Sequence, residues 1–179
     1  MMKRYNVNIL NKSSVVALAE MLESEGEDIS ICFEDVICCP HYVVPVFALI
    51  DYYRSLGRRI DVVFPEHSTI ESCFKNGSFE RPFGSVWRFD NQDVLLELFD
   101  ATQKAIMKLP NVGKGFKTAF GWCLSEVMDN VLQHSQEKSG LSSVGYLMIQ
   151  YVHDERLLKC CVFDLGIGLY ESFLGTKYN

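Results

Sequence analysis

The sequence predicts a mixed α/β fold, α+β in its ordering, and three observations carry that expectation. Ile29–Phe33, Tyr42–Leu56 and Ile60–Phe64 alternate as strand, helix and strand with short links, which is a βαβ unit. Residues 116–135 place apolar side chains at helical spacing without interruption. Two apolar runs, Val144–Val152 and Leu157–Phe163, flank the polar tetrapeptide His153-Asp154-Glu155-Arg156 as a hairpin would. The expected organisation is a small α/β layer domain over 1–90 and a second unit over 91–179, with helices over a mixed sheet.

Taken in order, Val7–Leu10 is expected as a short strand, and Ser13-Ser14 as the cap of a helix from Val15 to about Ser24. Glu25-Gly26-Glu27-Asp28 breaks that helix, and Ile29–Phe33 follows as a strand. A loop through Cys38-Cys39-Pro40 leads into a helix from Tyr42, whose apolar positions are Val43, Val46, Phe47, Leu49, Ile50 and Tyr53. Gly57 is its stop, and Arg58-Arg59 stand near the negative end of its dipole. Pro65 ends the strand Ile60–Phe64. Residues 66–90 carry Gly77, Pro82 and Gly84 as loop signals, with Phe79, Phe83, Trp87 and Phe89 as packing material rather than a ligand platform. Asp90 or Asn91 caps a helix from Val94 to about Leu109, ended by Pro110.

Composition bounds the function. With 48% hydrophobic and 22% charged residues the chain is ordinary globular material. Its net charge of -6, with no basic cluster denser than Arg58-Arg59, argues against nucleic acid and against an anionic membrane surface as partners. Seven cysteines without a CxxC pair predict reduced, buried thiols rather than a disulfide frame or zinc knuckle. No run of about eighteen apolar residues and no signal-type N-terminus is present, so a soluble, cytoplasmic protein is expected. Cys38, Cys39 and His41 have the chemistry of metal ligands but lack a second partner pair, which favours a buried loop. His67 and His153 are expected at the surface. Asn111–Thr118 (NVGKGFKT) lacks the GxxxxGK[ST] spacing of a phosphate-binding loop.

Two stretches carry chemistry. At 100° per residue, Phe120, Leu124, Val127, Met128, Val131 and Leu132 fall along one side of the helix over 116–135, and Glu126, Asp129, Asn130, Gln133 and His134 along the other. Glu126 and Asn130 are one turn apart. A carboxylate that orients or deprotonates water beside a neutral oxygen ligand for Mg²⁺ suits that spacing, and a solvated helix face explains the same pair. In the second stretch the apolar run Leu157–Phe163 stops at Asp164 and passes into Gly166-Ile167-Gly168. A carboxylate there can accept from an exocyclic amine while the glycines admit a ligand to the backbone, and a plain tight turn uses the same residues.

Together, LSEVMDNVLQHS and the strand ending FDLGIG resemble the N-box and the DxGxG box of the GHKL, or Bergerat-fold, ATPases. The pattern SExxxNxxxH is most similar to the histidine-kinase-like and anti-sigma-factor serine kinase branch. The resemblance covers about residues 91–175. It implies that Glu126 is the catalytic base or water-orienting group and Asn130 the Mg²⁺ ligand. It further implies that His134 lies near the phosphates or lid, that Asp164 binds the adenine amine of ATP, and that Gly166 and Gly168 shape the adenine pocket. The N-terminal βαβ, with Leu56-Gly57-Arg58-Arg59-Ile60-Asp61-Val62-Val63, resembles the STAS-like modules that travel with such kinases, a regulatory or interaction layer.

After Asp164 only fifteen residues follow, and the lid, second glycine motif and further strands of that family are not among them. The expectation is therefore an incomplete Bergerat-type sandwich, the leading part of a longer protein. Its activity would be ATP hydrolysis or phosphoryl transfer to a protein side chain once a lid is supplied. A protein partner or phospho-acceptor is implied, and the open edge of the hairpin suits pairing with another copy, as a homo-oligomer. Two rivals stand beside this reading: a non-catalytic protein-interaction module, and a switch that binds nucleotide without turnover.

Overall fold

Three short strands joined by two helices build a parallel sheet. In the computed structural model, which describes residues 2–24, 28–75, 77–110, 112–134 and 144–166, β1 (Lys3–Val7), β2 (Ile29–Phe33) and β3 (Ile60–Val63) pair in the order β1-β2-β3, all parallel. Helices α1 (Lys12–Ser24) and α2 (Pro40–Ser55) are the crossovers. Two crossovers of the same hand in a sheet of sequential order lie on one face, and α1 packs against α2. Register aligns Tyr5, Ile31 and Val62 in one row and Arg4, Ser30 and Asp61 in the next. The rows alternate between an apolar face and a polar one.

Caps set the helix boundaries. Asn11 Oδ1 accepts from the Ser14 N–H at 3.0 Å, and Ser14 Oγ accepts from the Asn11 N–H at 2.9 Å. This reciprocal box starts α1 at Lys12, so the cap is Asn11 rather than Ser13 or Ser14. Pro40 opens α2, where its missing N–H costs nothing. Gly57, at φ +84°, turns the chain after α2. Arg54, in the last turn, donates to the Ile60 carbonyl through Nε at 3.0 Å and Nη2 at 2.6 Å, and Arg58 donates to the Leu22 carbonyl. β1 also differs from expectation: it covers Lys3–Val7 rather than Val7–Leu10. Its polar sequence, KRYNV, is tolerated because an edge strand needs backbone pairing more than apolar side chains.

The stretch 66–90 contains two elements that the sequence did not reveal. A six-residue helix, α3 (Thr69–Phe74), is capped by Ser68, whose Oγ accepts from the Glu71 N–H at 3.3 Å. It brings Phe74 against Phe33, Phe47 and Phe64, with ring centroids at 5.8, 5.2 and 5.2 Å. The second element is β4 (Trp87–Phe89), which pairs antiparallel with β5 (Gly145–Val152). β6 (Leu157–Asp164) flanks β5 on its other side. The turn between β5 and β6 places Arg156 at φ +52°. The aromatic residues of this stretch do not behave alike: Phe89 is fully buried, whereas Phe79 is exposed and stacks on Trp87 at 5.0 Å.

Helices α4 (Gln92–Met107) and α5 (Lys114–His134) form an antiparallel pair. Asn91 Oδ1 accepts from the Val94 N–H at 3.0 Å and caps α4. The mixed α/β class is therefore as expected, with one parallel and one antiparallel sheet among the described residues. The chain divides into two units: Met1–Asn76 with Gly84–Val86 and Met148–Cys161, and Gly77–Phe83 with Trp87–Leu147 and Val162–Asn179. Among the described residues no helix is long and apolar enough to cross a membrane.

Candidate functional site

The helix α5 is positioned by its own buried stripe. Lys117, Gly121, Leu124, Met128 and Val131 are buried, a 4-3-4-3 spacing that forms one face. This face is rotated from the expected one. Phe120 and Leu132 are half-buried, and Val127 is 46% exposed, because the apolar sequence positions span more of the helix than its neighbours cover. Gly121 lets α4 approach: a Cβ there would stand 2.0 Å from Gln103 Nε2.

Lys117 is the unexpected member of the stripe. Its side chain is 8% exposed, and Nζ donates to the carbonyls of Met107 at 2.8 Å and Leu109 at 2.9 Å. The ammonium thus satisfies carbonyls left over at the C-terminus of α4 and stands at the negative end of that helix dipole. At the other end of the pair, Gln92 Nε2 donates to Asp129 Oδ1 at 3.3 Å. Asp129, expected on the polar stripe, is therefore tied to α4.

Glu126 lies directly opposite the centre of the buried stripe, and Asn130 is one turn further along; both are exposed. With Trp122, 75% exposed, they form a row at i, i+4 and i+8 on the outer side of α5. Main-chain placement puts His134 at the last position of α5; its side chain lies outside the described residues. Asp164 is the last residue of β6 and is half-buried. Its Oδ1 accepts from the Gly166 N–H at 2.6 Å, an Asx turn that holds the carboxylate in one orientation. A carboxylate offers about four lone-pair positions, so Oδ2 remains able to accept from another donor. Gly168 lies outside the described residues. The structure therefore groups Glu126 with Asn130, and Asp164 with Gly166.

The donor set at Glu126 and Asn130 consists of hard oxygens, of the kind Mg²⁺ takes when water and phosphate supply most of its shell. Among the described residues no three His, Cys, Asp or Glu side chains come together as a metal cage. His67 and His153 are exposed, as expected, but the stretch expected as a buried loop is only partly so: Cys38 is buried, Cys39 half-buried, Ile37 83% exposed, and His41 exposed in the first turn of α2. The thiols are not uniformly buried: all seven are free, Cys32, Cys38 and Cys73 are buried, and Cys123 and Cys160 are exposed.

Two concavities escaped the sequence reading. One, of about 410 Å³, lies between α4 and α5 and is lined by Phe99, Gln103, Met107, Gly121, Trp122 and Ser125. Buried Gln103 Nε2 has no hydrogen-bond partner among the described residues. The other, of about 970 Å³, runs along α4 and the loop of residues 79–83. It carries Arg81, Lys104 and Lys108 against Glu80, Glu97 and Asp100, so its charge selects neither anion nor cation. No protein-family model matches this chain, and no curated protein or solved structure is significantly similar to it.

Proposed function

We propose that this chain is an ATP-binding protein of the histidine-kinase-like type, which accepts the adenine amine at Asp164 and holds Mg-ATP near Glu126 and Asn130. The observation that carries the reading is the Asp164 turn. A carboxylate at a strand end, oriented by the Gly166 N–H, is prepared to accept one further hydrogen bond of defined direction. That is what selection of an amino-substituted purine over an oxo-substituted one requires. The exposed pair on α5 supports it from the phosphate side. Asn130 would contribute an amide oxygen to Mg²⁺, and Glu126 would orient or deprotonate water, for hydrolysis or for transfer to a protein side chain. When bound, Mg²⁺ would neutralise charge developing on the phosphates.

Calorimetry of ATP and GTP with and without Mg²⁺ tests the proposal. ATP should bind in preference to GTP. Asp164→Asn, which turns an acceptor into a donor, should weaken ATP binding by about 1–3 kcal/mol, roughly 5- to 150-fold. Glu126→Ala should spare binding, and Asn130→Ala should reduce its Mg²⁺ dependence. Equal affinity for both nucleotides, unchanged in Asp164→Asn, refutes the assignment. Turnover then separates an enzyme from a nucleotide-binding switch.

A second reading, a protein-interaction module, is favoured by one observation. Trp122, Phe116 and Val127 are all exposed on α5, and an exposed Trp on a helix is the kind of anchor that partner surfaces take up. Binding of a partner without nucleotide, lost in Trp122→Ala, would support this reading over the first.

A further inference from the structure

Along one side of α4 the charges are sorted by sign. Glu97, Ala101, Lys104 and Lys108 stand at i, i+4, i+7 and i+11, with Lys108 still helical as the C-terminal cap residue, and this spacing is that of a single stripe. Asp100 flanks the stripe at its acidic end, and Ala105 lies near its middle. The half nearer the N-terminus of α4 is thus acidic, the other half is basic, and small side chains lie between them. Glu97, Asp100, Lys104 and Lys108 are all exposed, and none of the four forms an ion pair among the described residues.

The stripe forms one wall of the concavity of about 970 Å³, and the loop of residues 79–83 forms the other. Both walls belong to the same compact unit. The loop is held in place by its own bonds: the Arg81 N–H donates to the Ser78 carbonyl at 2.7 Å, and Trp87 Nε1 donates to the Pro82 carbonyl at 3.0 Å. Phe79, 44% exposed, stacks on Trp87, and Phe83 is half-buried. The groove is therefore a formed surface with apolar area left at its edge.

We propose that this groove is a homodimer surface, in which α4 of a second copy lies antiparallel along α4 about a two-fold axis near Gln103. A two-fold interface sets one patch against itself. A patch of one sign repels its copy, whereas a patch whose sign reverses along an antiparallel axis attracts it. Pairing centred between Thr102 and Gln103 sets Glu97 opposite the partner's Lys108, and a slip of one residue, about 1.5 Å, sets Asp100 opposite the partner's Lys104. Ala101 and Ala105 keep the middle of the contact low, so the helix axes can come close. The groove carries three acidic and three basic side chains, so a chain of net charge -6 meets its copy here without the repulsion that its remaining surface imposes. A small ligand would engage one end of such a groove. A partner that engages both ends needs the same charges in reverse order, and a second α4 has that order by symmetry. The surface shares no residue with Glu126, Asn130 and Asp164, so it does not depend on the nucleotide reading, and it places the second copy on α4 rather than on the edge of the hairpin.

A contact built on one helix and one loop is small, so the dimer should dissociate in the micromolar range, and sedimentation velocity of the chain without nucleotide, up to about 200 µM, tests it. Wild type should pass from monomer to dimer over that range, and added salt should weaken the dimer. Glu97→Lys with Asp100→Lys, and Lys104→Glu with Lys108→Glu, each leave a single sign on the stripe. Each pair of changes should weaken self-association at least about tenfold, although the first lowers the net negative charge of the chain and the second raises it. Mixed in equal amounts, the two double variants should form a heterodimer, and exchanging all four charges within one chain should restore the homodimer. A mixture that associates also shows that both variants are folded. A wild-type chain that stays monomeric throughout would overturn the proposal. So would a dimer that both double variants retain, which would place the second copy elsewhere, or a mixture that fails to associate.

Discussion

Replacing Gly145 with alanine should destabilise the antiparallel sheet by overfilling a space already occupied by an aromatic ring. Gly145 is the first residue of β5 and the direct register partner of Phe89 in β4. A Cβ on Gly145 would stand 2.2 Å from Phe89 Cζ, 2.5 Å from Cε2 and 2.7 Å from Cε1, whereas nonbonded carbons rest at about 3.5–4.0 Å. Phe89 is fully buried, so its ring cannot swing into water to make room. Overpacking of a core costs about 1–3 kcal/mol. Against that, alanine restricts the unfolded chain and returns about 0.4–1 kcal/mol. Mid-range values of about 2 and 0.7 kcal/mol leave a net loss of about 1.3 kcal/mol, a fall in melting temperature of roughly 3–5 °C at this chain length.

The assay is urea and thermal unfolding followed by far-UV circular dichroism, within a double-mutant cycle. Phe89→Leu alone should destabilise, since it removes buried aromatic surface. In the Phe89→Leu background the Gly145→Ala penalty should shrink by about 1–2 kcal/mol, a coupling in the range expected of side chains in contact. A Gly145→Ala chain as stable as wild type would refute the steric argument, as would strict additivity in the cycle.

Two further outcomes are expected. Lys117→Met keeps the stem but leaves the Met107 and Leu109 carbonyls without their donor, and should lower stability by about 2–3 kcal/mol; an unchanged urea midpoint would show that water replaces the ammonium at no cost. The Cys161 thiol is pushed up to about 11 by burial, from an ordinary 9.0, so between those values the folded chain holds a proton that the unfolded chain has lost. Stability should therefore be level below pH 9 and fall as pH rises from 9 towards 11. Denaturation midpoints across that window should decline less in Cys161→Ala than in wild type, and equal slopes would contradict the assignment.

Much of the fold was legible because its signals are local. Ile29–Phe33 is a strand as expected, since a β-branched and apolar run bounded by polar residues has few other uses. α4 and α5 declare themselves through a 3.6-residue period sustained over several turns, with Asn91 available as a cap. Val144–Val152 and Leu157–Phe163 needed only their apolar content and the polar turn between them. The residue types at Glu126, Asn130 and Asp164 were also readable, because the spacing of residues four apart on a helix and the chemistry of Asp-x-Gly are properties of a short segment.

What short segments do not contain is the identity of their neighbours. β4 is three residues long, and it is a strand because β5, more than fifty residues later, offers it a ladder. α3 is too short to show a period, and its place depends on Phe74 reaching Phe33, Phe47 and Phe64. On α5 the apolar positions allow more than one face to be buried, and the packing of α4 decided for Gly121 and Lys117 at the expense of Val127. The sequence by itself determined the periods, the caps and the chemistry available along each element. Tertiary structure decided which of those groups meet, because contact depends on distances across the fold, and these are set by packing between residues far apart in the chain.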